Sequence, residues 1–297
     1  NFFDPDRAMV AFSIGKHAYA WPTVISGVLV TLFAALVIIG GIKRIAKVSE
    51  IIVPFMAVIY FACGIILLVF NITKVPAAIV LIVKSAFCPK AVFGGAVGVT
   101  MKMAMQKGIA RGIFSNEAGI GSAPIAAAAA RTKSAVRQGL VCMTGTFFDT
   151  IIICTITGLS IVLTGAYKPA MDKTLEGVEI TTKAFTDGLP FPNHVAAFLL
   201  MMSLVFFAFT TILGWDYYSE KCLQYLVGEK QGVIMTYRVL YILAVFVGPY
   251  LKAGFVWTLA DIVNGLMAFP NLVALFALSG IVAAETKAFV KNLDKIK

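Results

Sequence analysis

The chain has 297 residues, of which 60% are hydrophobic and 13% charged, and its mean hydropathy is +0.90. A soluble domain carries about a quarter charged residues, so this composition excludes a soluble globular protein and indicates an integral membrane protein. The net charge of +10 does not indicate nucleic-acid binding, because the basic residues lie mainly in loops and at the ends of apolar segments.

Six apolar segments are long enough to cross a bilayer, which takes about 20 residues. They are residues 22–42, 51–71 (with Pro54 near its start), 137–165, 194–227, 233–254 and 259–285. Two shorter segments are expected at the membrane surface. Residues 76–87 are too few to cross and carry Lys84, and residues 179–188 are typical of a short amphipathic helix. The sequence therefore predicts an all-α integral membrane protein.

The distribution of basic residues predicts the orientation of these spans. When the spans alternate across the membrane, the larger basic set falls on one side and lies close to the span ends, which marks the cytoplasmic side. That set is Lys43, Arg44, Lys47, Arg131, Lys133, Arg137, Lys221, Lys230, Arg238, Lys287, Lys291, Lys295 and Lys297. The C-terminus is then cytoplasmic. The alternation also requires that residues 91–130 together make one crossing.

Within that crossing lies an unusually polar stretch, residues 110–130, with the sequence ARGIFSNEAGIGSAPIAAAAA. Its glycines permit unwinding, Ser122 is expected to cap a second half-helix that begins near Pro124, and the alanines to Ala130 are expected to continue it. Irregular backbone inside a membrane occurs only within protein or beside a watery cavity, and it is typical of substrate sites in secondary transporters. The prediction is a helix over 91–130 that is broken at a binding site. A re-entrant or extramembrane loop is the alternative.

Other polar residues interrupt the spans. Asp149 belongs to a stripe with Thr146, Thr150 and Thr157, and it is either functional or a hydrogen-bonding anchor to a neighbouring helix. Glu117 could pair with Arg111 or another basic residue, or titrate.

Two adjacent hydroxyl residues, Thr210 and Thr211, lie one turn before Trp215. With freed carbonyl oxygens, their hydroxyl oxygens could form the all-oxygen site that hard cations accept. Packing between helices is the other interpretation of this pair.

At these residues the chain resembles the alanine or glycine:cation symporter family, also called amino acid carrier proteins. The resemblance is carried by GIARGIFSNEAGIGSAPIAAAAA, VRQGLV with FFDTIIICTITGL, FAFTTILGWDYYSEKCLQYLVG, and ADIVNGLMAFPNLVALFALSG. It implies a leucine-transporter-type inverted-repeat fold. The chain would hold the last two helices of repeat one and all of repeat two, in a single transmembrane transporter domain over 1–297.

The resemblance also implies site residues. Substrate would bind at Asn116, Ser115, Gly119 and Trp215, and sodium at Thr210 and Thr211. Independently of the resemblance, Asp149 and Glu117 are candidate coupling or structural carboxylates. The chain departs from the family pattern at Ala127, where His is common, and at Asp216, where an aromatic or small residue is usual.

A further departure is that the upstream broken helix of the fold, a GTGN-type stretch, is not found in this sequence. The first residues, NFFDPD, are also typical of the interior of a longer protein. We therefore expect an N-terminally incomplete symporter that does not transport alone.

The function expected is sodium-coupled symport of small neutral amino acids, alanine or glycine, across the plasma (inner) membrane. The alternative is a transporter of the same fold with proton coupling or another substrate. An enzyme is not expected, because the sequence contains no HExxH motif, no Ser/His dyad and no aspartates at metal-binding spacing. The partners are the amino acid, the lipid bilayer and sodium, which would be co-transported; no cofactor and no nucleic acid are expected.

Overall fold

The computed structural model describes residues 10–14, 17–87, 101–117, 119–168, 175 and 177–293. Most of these residues are helical. The elements in chain order are the strands β1 Val10–Ile14 and β2 His17–Ala20, and the helices α1 Trp21–Ile38, α2 Ile42–Phe70, α3 Val75–Phe87, α4 Met101–Asn116, α5 Ala123–Ala127, α6 Ala135–Thr146, α7 Cys154–Thr164, α8 Val178–Gly188, α9 Asn193–Val227, α10 Gln231–Val247 and α11 Ala253–Leu293. Residues 91–100 of the predicted crossing lie outside the described residues.

Six of the described helical segments are long and apolar enough to cross a membrane, and they confirm the six predicted spans. They are Trp21–Ile38, Ile42–Phe70, Ala135–Thr164, Asn193–Val227, Gln231–Tyr250 and Gly254–Asn292. The third of them contains a π-helical segment, Phe147–Ile153, between α6 and α7. Helix α3 is present but has only 13 residues, which is too short to cross.

Helix α2 begins nine residues earlier than predicted, directly after Gly41, whose φ of 71° ends the connection from α1. Pro54 therefore lies inside the helix and not near its start. The predicted start at residue 51 was wrong because it marked only the apolar part of the helix. The helix extends beyond the hydrocarbon into a basic first turn that contains Lys43 and Arg44.

A small β-hairpin near the N-terminus was not predicted. Strands β1 and β2 pair antiparallel, with Val10 opposite Ala20 and Ile14 opposite His17. The hydroxyl of Tyr19 in β2 donates a hydrogen bond of 2.8 Å to the carbonyl oxygen of Tyr250. A long-range contact of this kind leaves no signal in local sequence.

The chain forms two compact units. The first comprises Asn1–Ile79 and Ile156–Lys252, and the second comprises Val80–Thr155 and Ala253–Lys297. In the first unit, α1, α2 and α9 meet in a cluster of fully or nearly fully buried side chains, Ala34, Ile38, Ile45 and Leu213. Large apolar side chains elsewhere face outward, such as Phe269 and Phe276 on α11. That outward apolar surface is the one lipid covers in a multi-pass membrane protein.

Close helix packing in the first unit depends on small residues. A Cβ atom built on Gly64 of α2 would overlap Cγ2 of Ile156 in α7. Next to this contact, the hydroxyl groups of Tyr60 and Thr157 are 2.5 Å apart. The predicted surface helix, α8, is amphipathic as expected, and it buries Phe185 completely against the ring of Tyr60.

Candidate substrate and ion site

The helical backbone is interrupted between α4 and α5. Helix α4 ends at Asn116 and α5 begins at Ala123. Two of the described residues in between have left-handed backbone, Glu117 with φ 53° and Gly121 with φ 82°. Turn hydrogen bonds of 3.1 and 3.0 Å run from the amides of Ile120 and Gly121 to the carbonyl oxygen of Glu117. Left-handed backbone is unusual for a residue such as glutamate, and such outliers cluster at functional sites.

Helix α11 holds this turn in place. The side-chain amide of Asn271 donates a 3.0 Å hydrogen bond to the carbonyl oxygen of Gly119. A Cβ atom on Gly121 would lie 2.9 Å from Oδ1 of Asn271, so only glycine allows the turn to approach Asn271 this closely. Asn271 thus satisfies a carbonyl group that the interrupted helix leaves free.

The segment after the turn differs from the prediction. Ser122 precedes α5, but its hydroxyl caps no amide; it is buried and donates a 3.2 Å hydrogen bond to the Glu117 carboxylate. Helix α5 ends at Ala127 and does not continue to Ala130. Single turns follow, and the next helix is capped by Ser134, whose side chain accepts a 3.3 Å hydrogen bond from the Arg137 amide. The alanine run favours a helix, but a serine that caps a backbone amide is a stronger helix start, and the next helix begins after Ser134.

Two consecutive residues at the end of α4 pair with two consecutive residues of the π-helical segment. Ser115 donates to the Asp149 carboxylate. Thr150 donates a 2.9 Å hydrogen bond to Oδ1 of Asn116. The amide nitrogen of Asn116 donates in turn to the carbonyl oxygen of Gly112 at 3.0 Å. Both polar groups of the Asn116 side chain are therefore fixed.

The π-helical segment makes this double pairing possible. Its hydrogen bonds span five residues, as in the bond from the Cys154 amide to the carbonyl oxygen of Asp149. Such segments are frequent at functional sites. Asp149 accepts a hydrogen bond from Ser115 on a neighbouring helix, which fits both a functional carboxylate and a structural anchor. Thr157, also in the predicted stripe, contacts Tyr60 instead.

Arg111 on α4 pairs with α11. Its guanidinium group lies 3.4 Å from the Asp261 carboxylate and 4.3 Å from the centre of the Trp257 ring. Among the described residues, Glu117 therefore accepts a hydrogen bond from Ser122, and Arg111 forms its ion pair with Asp261. Sequence reasoning did not assign roles to Asp261, Trp257 or Asn271. The sequence did contain a signal for these residues, because polar side chains within a long apolar helix indicate a functional or structural contact.

The predicted sodium ligands and the predicted aromatic residue lie on α9, in the first unit. The hydroxyl of Thr210 donates to the carbonyl oxygen of Phe206 at 2.9 Å, and that of Thr211 to the carbonyl oxygen of Phe207 at 2.8 Å. Each hydroxyl oxygen keeps lone pairs that can accept or ligate. The half-buried Trp215 packs edge-to-face on Tyr218, with ring centres 5.9 Å apart. Helix α9 is continuous here, so it frees no carbonyl oxygens of its own.

The predicted residues thus form two groups, one in each unit. Ser115, Asn116, Gly119, Glu117 and Asp149 surround the interrupted helix of the second unit, where Asn271 and Thr150 join them. Thr210, Thr211 and Trp215 lie within two turns of one helix of the first unit.

Six apolar helices long enough to cross a bilayer define a multi-pass membrane protein. The chain matches the sodium:alanine symporter family over residues 6–297, and it belongs to that family. This confirms the resemblance stated from its sequence motifs.

Individual relatives agree with this membership. The chain is 53% identical to an uncharacterized transporter of Haemophilus influenzae over 92% of its length. It is 47% identical to the sodium/alanine symporter AgcS of Methanococcus maripaludis over 89%. It is 39% identical to the sodium/proton-dependent alanine carrier protein of Bacillus sp. over 89%. The chain spans 58%, 56% and 60% of the length of these relatives, respectively.

Proposed function

We propose that the chain carries a substrate site and a sodium site of a symporter for small neutral amino acids, alanine or glycine, in the plasma membrane. The observation that carries the proposal is the pairing of Ser115 and Asn116 with Asp149 and Thr150 at an interrupted helix. Membership of the sodium:alanine symporter family supports both the substrate class and the ion. The C-terminus is cytoplasmic, and the chain forms one transporter domain of the leucine-transporter type.

The substrate interacts with the second unit at Asn116. The hydrogen bonds to Thr150 and Gly112 leave its carboxamide one N–H group and one lone pair. This donor and this acceptor suit the carboxylate and the ammonium group of a zwitterion. Ser115 and Gly119 complete this polar surface. Trp215, in the first unit, is a substrate residue only by the resemblance to the family.

Sodium is the co-transported ion, and no other cofactor takes part. The hydroxyl groups of Thr210 and Thr211 donate to their own helix, so their oxygen lone pairs remain available as ligands. Oxygen atoms are the ligands that hard cations take. These two adjacent hydroxyl groups are therefore the sodium ligands that the first unit contributes.

Proton coupling is the alternative, and one observation favours it. A relative with 39% identity is described as dependent on sodium and protons. The carboxylates that would take up the proton are Asp149, which binds Ser115, and Glu117, which has left-handed backbone. A substrate other than alanine or glycine on the same fold belongs to the same alternative.

Uptake of radiolabelled alanine into vesicles that carry the whole protein tests the proposal. We expect uptake that requires an inward sodium gradient and is lost in Asn116→Ala. The control Asn193→Ala changes an exposed asparagine at the start of α9 and should leave uptake unchanged. Uptake stimulated by acid without sodium would favour the alternative. Absence of both alanine and glycine uptake by a correctly inserted protein would contradict the proposal and would favour a different substrate.

A further inference from the structure

Asp216 is the most deeply buried carboxyl group in the described part of the chain. It lies on α9, one residue after Trp215, with only 1% of its surface exposed. Neither of its carboxylate oxygens has a hydrogen-bond partner among the described residues. Buried carboxyl groups are normally hydrogen-bonded or paired with a cation, so Asp216 departs from the usual pattern.

The cationic side chain that α10 brings near Asp216 is already engaged. Arg238 binds Glu220, one helical turn after Asp216, through two hydrogen bonds of 2.7 and 2.9 Å. Both members of this pair are largely buried. A bidentate pair uses the charge and the planar geometry of the guanidinium group on one carboxylate. The hydrogen bonds of Arg238 therefore go to Glu220, and Asp216 has no hydrogen-bonded cation.

The other elements packed against α9 offer no replacement among the described residues. Helix α10 adds two phenols, Tyr237 and Tyr241, and the second of these donates to the carbonyl oxygen of Ile212 at 2.8 Å. Helix α1 has no titratable side chain. Helix α2 contributes a phenol and a thiol, Tyr60 and Cys63, which carry no positive charge. Lys183 and Asp187 of α8 form an ion pair with each other. The remaining charged side chains of α2 and α8 are exposed: Lys43, Arg44, Lys47, Glu50 and Glu179.

An ionised carboxylate in these surroundings would lose its hydration without gaining hydrogen bonds or a counter-ion, which is strongly unfavourable. A bound proton removes that cost because a neutral carboxyl group needs no counter-ion. We propose that Asp216 is an intramembrane proton-binding site of the first unit, occupied by a proton in the conformation that the structure describes.

The site releases its proton only after a change in its surroundings. On ionisation the proton passes to water, and the carboxylate must gain water or the guanidinium group of Arg238, which would then have to leave Glu220. Proton release is thereby linked to rearrangement of the Glu220–Arg238 pair between α9 and α10. This proposal does not depend on the substrate site around Asn116, and it is separate from the carboxylates of the second unit.

Infrared spectroscopy of the purified full chain in lipid tests the proposal directly. A protonated carboxyl group gives a C=O stretching band distinct from that of a carboxylate. We expect such a band at neutral pH, and we expect Asp216→Asn to remove it while the protein remains folded and equally heat-stable. No difference in this band between the parent protein and Asp216→Asn would overturn the proposal.

Two controls test whether the band arises from a proton on Asp216. Asp187→Asn makes the same chemical change at an exposed aspartate paired with Lys183, and it should remove only carboxylate bands. Addition of sodium at constant pH should leave the Asp216 band unchanged. Loss of the band on addition of sodium would make Asp216 a sodium ligand and would also overturn the proposal.

Discussion

Thr150 holds the side chain of Asn116 by a 2.9 Å hydrogen bond to its carboxamide oxygen. The residues are 34 positions apart and lie on two helices that meet where one of them is interrupted. The bond fixes which end of the Asn116 amide accepts and which donates. A fixed orientation of this kind reduces the ordering cost when a ligand binds.

Replacing Thr150 with valine should weaken alanine binding. The change keeps the shape but removes the donor to Asn116, and a hydrogen bond is worth about 1 kcal/mol. We expect an affinity lower by about fivefold to tenfold, measured by calorimetry or competition. The control Thr144→Val alters an exposed hydroxyl that binds only its own helix. Equal affinity in both variants would show that Thr150 does not orient the site.

Replacing Thr210 and Thr211 with valine should raise the sodium concentration needed for half-maximal uptake. Valine has no oxygen to ligate the ion, whereas the packing volume is nearly unchanged. The preference among alanine, glycine and larger amino acids should remain. Thr236→Val removes a hydroxyl with a similar bond to its own helix on α10 and serves as the control. A loss of uptake at all sodium concentrations with unchanged sodium dependence would contradict the assignment.

Gly121→Ala should destabilise the protein and impair substrate binding. The new Cβ atom would meet Oδ1 of Asn271 at 2.9 Å, and the φ of 82° is strained for any residue with a side chain. Such strain costs of order 1–3 kcal/mol, which a lower melting temperature in detergent would report. Gly139→Ala, in the open face of α6, should be neutral or stabilising by about 1 kcal/mol because alanine favours a helix. Similar melting temperatures for the two variants would exclude the predicted strain.

Gly64→Ala should separate α2 from α7. The added methyl group would overlap Cγ2 of Ile156, and overpacking of this kind costs about 1–3 kcal/mol. Gly214→Ala has open space around its Cβ position and should not lower the melting temperature. Combining Gly64→Ala with Ile156→Ala should recover part of the loss. If the double variant lost as much stability as the two single variants together, or more, the clash would not explain the loss in Gly64→Ala.

Arg238→Gln should be strongly destabilising, because it leaves the largely buried Glu220 carboxylate without its cation. Breaking one side of a buried pair costs about 3–5 kcal/mol. The double variant Arg238→Gln with Glu220→Gln should be more stable than the single one, because no charge remains unpaired. Chemical denaturation of the parent, Arg238→Gln, Glu220→Gln and the double variant measures this cycle. Equal stability of the single and double variants would show that the pair is not coupled.

Long-range contacts separate what could be predicted from what could not. Six spans were predictable because length and hydropathy alone decide which segments reach across hydrocarbon. Helix α4 ends at Asn116, within the stretch whose glycines favour unwinding, whereas a break inside the membrane at a binding site stays a prediction. The cap predicted at Ser122 is not formed, because its hydroxyl contacts the Glu117 carboxylate and not a backbone amide. Ser134 caps the next helix instead, and which partner a serine hydroxyl meets depends on tertiary packing.

The partners of the site were hidden for the same reason. Asn271 contacts Gly119 across 152 positions, and Arg111 contacts Asp261 across 150. A single sequence records that these residues are polar within apolar surroundings, but not which of them meet. No amino-acid pattern marks the π-helical segment that contains Asp149. The β-hairpin contacts Tyr250, which is distant in the sequence. These features arise from tertiary packing, which overrides local preference.

The π-helical segment also sets the direction in which its own side chains face. Successive residues of an α-helix are rotated by about 100°. Deleting Phe148 would therefore turn Asp149 and Thr150 by about that angle relative to α6, away from Ser115 and Asn116, the side chains that they now meet. The number of residues between α6 and Asp149 thus fixes the rotational register in which this span meets the end of α4.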